Sequence, residues 1–167
     1  MGRQAAVPVL DAARARAVAL DLLSRKARTR LDLQDRLHRR GAPRAVAEAV
    51  VGDLEARGYV DDRAFAVNWV ESRTRGRAIG SRRLREELLQ KGVARPLVEA
   101  TLAAALTETD EAARARAAAA RRLPGLERAA PDQVARRLYD YLVRRGFPAD
   151  VARRVVRETC RVPIDDD

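Results

Sequence analysis

The stretch "LREELLQKG", residues 84–92, decides the fold, because its outline occurs three times along the chain. "LQDRLHRRG" at 33–41 and "LYDYLVRRG" at 138–146 share it: leucine eight and four residues before a glycine, with a basic residue directly ahead of that glycine. The sets are Leu33, Leu37, Arg40 and Gly41; Leu84, Leu88, Lys91 and Gly92; and Leu138, Leu142, Arg145 and Gly146. Leucines four apart lie on one face of a helix. A glycine at that distance supplies a left-handed C-terminal cap, and the preceding cation complements the negative end of the helix dipole. Beyond each glycine, apolar residues return at helical spacing: Val46 and Val50, Leu97 and Leu102, Val151 and Val155. Pro43 and Pro148 suit the first turn of the helix that follows. Each copy therefore reads as two helices joined by a tight turn.

A further helix precedes each pair. The first spans about 11–26, with Val18 and Leu22, and Ala19 and Leu23, four apart. The second starts within "GYVDDRAFAVNWV", 58–70, where Phe65 and Trp69 have the same spacing. The third is alanine-rich and spans about 108–122. The expected fold is all-α: three tandem three-helix, helix-turn-helix-like repeats at 1–58, 59–107 and 108–162, with an acidic tail at 163–167 expected to be disordered. A unit of roughly 50 residues buries only about 60% of its chain surface, so neighbouring units must pack on one another. The expectation is an elongated, curved rod.

Two adjacent carboxylates beside the chain's single tryptophan invite a metal or acid–base reading. Asp61 and Asp62, however, sit between Gly58, a candidate cap of the preceding helix, and the next helix. Aspartate there caps a helix and is favoured by its dipole. A metal site would need further ligands aimed at the same point, and the spacing supplies none. Tyr59, Phe65 and Trp69 read as core staples at a repeat junction rather than as a base-stacking platform.

Composition excludes several classes. Much of the apolar content is alanine and aromatics make up 4%, which suits helix packing rather than a thick sheet core. One cysteine, Cys160, permits no intrachain disulfide and points to a reducing compartment. No apolar run approaches the ~20 residues of a membrane span, and the N-terminus has no signal-peptide pattern, so a cytoplasmic location is expected. His38 is the only histidine, flanked by arginine on a helix, and reads as a solvated residue. Zinc sites and cysteine–histidine nucleophile pairs are unsupported. "RGRAIGS", 75–81, lacks the lysine of a phosphate loop. No catalysis, metal or cofactor is expected.

Charge is more informative. The formal net charge is +10, a field that attracts polyanions. Ser72 to Arg85 contains no acidic residue and holds Arg73, Arg75, Arg77, Arg82, Arg83 and Arg85. Within the run these charges have no counter-ion and repel one another. Together with Lys91 they form the candidate contact strip. A weaker basic loop, Arg25, Lys26, Arg28 and Arg30, occupies the equivalent place in the first repeat, and Arg121, Arg122 and Arg128 lie near it in the third. Basic loops recurring at one position of a repeat suit a polymeric anion. With about five phosphates neutralised on a single strand, affinity should fall on the order of a hundredfold between 50 and 200 mM salt.

The segment 58–93 resembles the central motif of the RecX family, regulators of the RecA recombinase. The features that carry the likeness are Gly58–Tyr59, Asp61–Asp62, Phe65, Arg73, Gly80, Leu84, Glu87–Leu88 and Lys91–Gly92. With the flanking repeats, the resemblance covers about 12–160. It implies tandem three-helix repeats and a modulator seated in the groove of the RecA–single-stranded DNA filament. Such a modulator blocks filament growth or promotes disassembly, and so inhibits strand exchange and co-protease activity. It also implies some DNA binding, with single-stranded DNA the expected form and duplex DNA a further candidate. The expected partners are thus RecA and DNA, with no membrane, and the chain is expected to be monomeric. Two rivals stand beside this reading. A helix-turn-helix transcription regulator would read bases from a recognition helix, but "PRAVAEA", "RPLVEA" and "PADVARR" offer little to read them with. A scaffold for an acidic protein would bind no DNA.

Overall fold

The computed structural model describes residues 10–76, 78–126 and 129–160. Among them the chain is all-helical and forms three successive three-helix sets. The first is α1 (Ala12–Arg25), α2 (Arg30–Arg39) and α3 (Arg44–Ala56). The second is α4 (Asp62–Thr74), α5 (Ser81–Gln90) and α6 (Arg95–Ala105). The third is α7 (Glu108–Arg122), a 3-10 turn at Leu123–Leu126, α8 (Pro131–Arg144) and α9 (Ala149–Cys160). The acidic tail and the N-terminal residues before Leu10 lie outside the described residues.

The leucine pairs do what their spacing dictates. Leu33, Leu37, Leu84, Leu88, Leu138 and Leu142 are all fully buried, each worth about 1.5–3 kcal/mol of transfer free energy. Gly41, Gly92 and Gly146 have φ of 93°, 84° and 85°, the left-handed conformation that ends a helix. Around Gly41, the Ala42 N–H donates to the Leu37 carbonyl and the Gly41 N–H to that of His38. Phe147 and Gly146 repeat the pattern on Leu142 and Val143. The prolines stand one residue earlier than their expected place. Pro43 and Pro148 precede α3 and α9 and offer carbonyls to the N–H groups of Ala47 and Ala152. A cap residue needs no N–H of its own, so proline fits there as well as inside the first turn.

Two compact units emerge. One comprises the described part of Met1–Ala66 together with Gln90–Ala94. Its core is Ala15, Ala19 and Leu22 from α1, Leu33 and Leu37 from α2, and Ala47, Val50, Val51 and Leu54 from α3, closed by Ala42 and Val60. The other comprises Val67–Leu89 and the described part of Arg95–Asp167. There, Ala112, Ala115, Ala118 and Ala119 give α7 a flat face, and Phe147 is the largest buried side chain.

Each unit contains one junction between consecutive repeats, and the two junctions have the same chemistry. In the first unit, Asp61 Oδ1 accepts from the Ala64 N–H at 2.9 Å and so caps its own helix, α4. Asp62 does something different: its Oδ1 accepts from the Arg30 N–H at 2.8 Å, capping α2 of the preceding repeat. The Thr29 hydroxyl donates to the Lys91 carbonyl, and Leu31 covers Gly92. In the second unit Glu111 of α7 accepts from the Ser81 N–H at 2.6 Å, capping α5. The Gly80 and Arg82 N–H groups donate to the Arg145 and Gly146 carbonyls, both at 3.0 Å. In both junctions a carboxylate from the first helix of one repeat neutralises the positive end of the second helix before it. The glycine turn of the later repeat abuts that same end.

One aromatic expectation is overturned. Tyr59 is 58% exposed and is no core staple; its neighbour Val60, at 2%, fills the core instead. After the Gly58 turn the chain points Val60 inward, so the side chain beside it faces solvent. Phe65 and Trp69 are half-buried.

Candidate polyanion-binding site

The arginine run occupies the end of α4, the connection to α5 and the first turns of α5, all within the second compact unit. Glu87 organises much of it. Arg73 donates through Nε to Glu87 Oε2 at 2.7 Å and through Nη2 to Oε1. The Trp69 indole N–H donates to the same carboxylate at 3.1 Å, and Arg83 Nε reaches it at 3.3 Å. The Arg73 guanidinium also lies 5.5 Å from the Trp69 ring centroid, within cation–π range. With its side chain 13% exposed, Glu87 is the most enclosed carboxylate of the site. The Arg73 hydrogen bond, with Trp69 and Arg83 adding to it, holds its carboxyl below the usual carboxylate range. The same bond pushes the Arg73 guanidinium up.

Arg85 forms a fork on Glu99 of α6, Nε at 2.8 Å and Nη2 at 2.9 Å. The run is therefore not without counter-ions: Arg73, Arg83 and Arg85 are paired. Their partners stand outside the stretch 72–85, at 87 and 99, brought in by the helical repeat and by α6 folding back. Arg75 and Arg82 are exposed and form no ion pair among the described residues. Arg77 and Arg128 lie outside the described residues. Lys91 belongs to the first compact unit, with its carbonyl on Thr29.

The weaker loop of the first repeat is largely neutralised. Arg25 pairs with Asp21 at 2.9 Å, Arg28 with Asp32 at 2.9 Å and Arg30 with Glu55 at 2.7 Å, which leaves Lys26 exposed. From the third repeat, Arg121 Nη1 points to the Gly76 carbonyl at 3.4 Å, next to the α4–α5 connection. Arg122 and Arg145 lie 5.8 and 5.4 Å from the Tyr141 ring centroid.

Family models identify the three sets one by one. RecX first, second and third three-helix domains match residues 15–54, 61–102 and 108–156. The regulatory protein RecX of Thermobifida fusca (strain YX) is 46% identical over 147 residues, 87% of this chain and 78% of that protein. This chain belongs to the RecX family. The regulatory protein RecX of Streptomyces lividans is 40% identical over 152 residues, covering 91% of this chain and 80% of that one. A crystal structure of RecX from Lactobacillus salivarius superposes with a TM-score of 0.82 at 18% identity, covering 91% of this chain and 98% of that one. At that identity the likeness concerns the fold.

In RecX terms the arginine run lies inside the second three-helix domain, and Asp62 and Glu111 are carboxylates that tie one RecX domain to the one before it. Glu87 carries part of the family likeness, but its role as the acceptor for three side chains was not legible along the chain. Its spacing of four from Arg83 was visible, but its approach to Arg73 and Trp69 depends on how α4 packs beside α5. His38 is exposed, as its place between arginines suggests, and its Nδ1 lies 3.1 Å from the Ala42 carbonyl at the α2 cap. Burial pushes the Cys160 thiol up, away from thiolate chemistry. Among the described residues no group of histidine, cysteine and carboxylate side chains could hold a metal ion, and no helix is long and apolar enough to cross a membrane.

Proposed function

We propose that this RecX chain is a modulator, in its effect an inhibitor, of the RecA recombinase. It binds the RecA–single-stranded DNA filament and blocks its growth or promotes its disassembly during recombinational repair. It acts by binding, as a cytoplasmic monomer, and not by catalysis. The observation that carries this reading is the match to proteins named regulatory protein RecX across most of the chain. The charge distribution supports it. Arg75 and Arg82 stand exposed and uncompensated on the connection and first turn that precede the Glu87 hub. Arg73, Arg83 and Arg85 are oriented by carboxylates and keep N–H groups for a second acceptor.

The test is to measure RecA ATP hydrolysis and DNA-bound filament content as the protein is added, then to repeat it with Arg75→Glu/Arg82→Glu. The expected result is loss of filament with the parent and little loss with the double variant, at unchanged helicity. A filament indifferent to the parent protein, together with a preferred duplex sequence in a selection experiment, would favour a transcription regulator and overturn the reading.

A further inference from the structure

Where the second and third repeats meet inside the second compact unit, a cavity of about 280 Å³ is lined by Arg73, Arg83, Arg144, Arg145 and Ile79. Four of its five lining residues are arginines, contributed by α4, α5, the last residue of α8 and the residue after it. Like charges gather this way only if something holds them. The hydrogen bonds from Gly80 and Arg82 to the Arg145 and Gly146 carbonyls fix the two chain segments side by side. Glu87, which is not a lining residue, holds Arg73 and Arg83. Arg145 is braced on Tyr141, its Nε 3.1 Å from the phenolic oxygen. Arg144 is exposed and has no ion pair among the described residues. One carboxylate against four arginines leaves the surroundings of the cavity cationic.

We propose that this cavity is a seat for one phosphate group. Its volume sits at the small end of the ~300–1,000 Å³ range of ligand pockets, which suits a small occupant. Arginines gathered around one cavity from three segments suit an acceptor with oxygens in several directions. A tetrahedral phosphate offers them, and the arginine fork suits phosphate oxygens; Glu87, outside the lining, already holds Arg73 and Arg83 and leaves Arg144 and Arg145 without a carboxylate partner among the described residues. Arg144 and Arg145 lie outside the run 73–85 and complete the seat from the third repeat. The seat stands on the cavity alone; that its phosphate belongs to a nucleic-acid backbone rests on the regulator reading.

The experiment is a titration of the full chain with inorganic phosphate at constant ionic strength, read by NMR on the arginine Nε–H resonances, with chloride as the reference salt. Arg73 and Arg83 should shift saturably with phosphate and not with chloride. Arg144→Glu should weaken that binding about tenfold or more, equivalent to about 1.4 kcal/mol. Arg63→Glu, an exposed arginine of the first compact unit, should leave it unchanged. Circular dichroism checks that both variants fold. Shifts that never saturate, or an Arg144→Glu variant that titrates like the parent, would overturn the seat. Oligothymidylates with and without a 5′-phosphate then identify the source. Equal competition by both points to backbone phosphates, and competition only by the phosphorylated strand points to a terminal one. If neither competes, the seat stands for free phosphate and its link to nucleic acid falls. Saturable phosphate binding with no effect on the filament would sink the regulator reading and leave the seat intact.

Discussion

Asp61 and Asp62 differ by one position and serve different helices. Asp61 is a local cap, so Asp61→Ala should cost about 1 kcal/mol of stability in chemical denaturation. Asp62 reaches another repeat, and its carboxyl is pushed up, chiefly by burial. A raised folded-state pKa means that the ionised form is disfavoured by folding, so its penalty is present at neutral pH and relieved as pH falls through that value. Asp62→Asn keeps an acceptor for the Arg30 N–H and removes the charge; its stability at pH 7 should equal or exceed the parent's, while Asp62→Ala should be less stable. Glu87 has the opposite sign. Its folded-state value is depressed, so its contribution is full above the ordinary carboxylate range and is lost as pH falls through the depressed value. Glu87→Gln should therefore destabilise by about 1–2 kcal/mol at pH 7, between the values for exposed and buried pairs. The gap to the parent should close on acidification, as urea titrations across pH would show.

At the scale of elements, glycines decide how closely repeats approach. A Cβ on Gly80 would overlap the Gly146 carbonyl and the Phe147 nitrogen, and one on Gly146 would overlap the Arg83 backbone nitrogen and Cβ. The obstacle at Gly80 is backbone, which cannot swing aside as a flexible side chain does. Gly80→Ala should cost at least about 1–3 kcal/mol, and Gly146→Ala more, because its φ of 85° adds left-handed strain. Gly52 lies inside α3 with open space around it. Gly52→Ala should raise stability by about 0.5–1 kcal/mol, since only backbone entropy and helix propensity change. Thermal melts of the three variants separate packing from conformation. Element lengths carry a related signal. α2 and α5 have 10 residues each and begin at the capped junctions, whereas α8 has 14 and starts at Pro131. Aligned on its leucines and glycine, α8 continues for an extra turn through the position where α2 and α5 receive the next repeat.

For the whole molecule, a net charge of +10 sets attraction to polyanions, but the ion pairs set how much of it each arginine delivers. If the regulator reading holds, Arg75→Ala and Arg82→Ala should each flatten the log–log salt dependence of single-stranded DNA binding by roughly 0.7, one phosphate's worth. Arg85→Ala should change it less, because Glu99 already occupies its fork. Fluorescence anisotropy over a range of salt concentrations reads the slopes directly.

The sequence alone determined the helices, their three-fold grouping and their buried leucines. These follow from spacings of four and from glycine caps, which are local geometry and need no partner. It determined the arginine run as well, since charge is a property of composition. Only the tertiary structure decided which arginines remain uncompensated, because Glu87 and Glu99 meet Arg73 and Arg85 across helices, fourteen residues away in each case. Packing decided, too, that Asp62 caps a helix thirty-two residues earlier and that Arg144 and Arg145 reach the arginine run. The physical reason is the same throughout: a hydrogen bond or ion pair acts over about 3 Å, and no pattern along the chain measures distance through space.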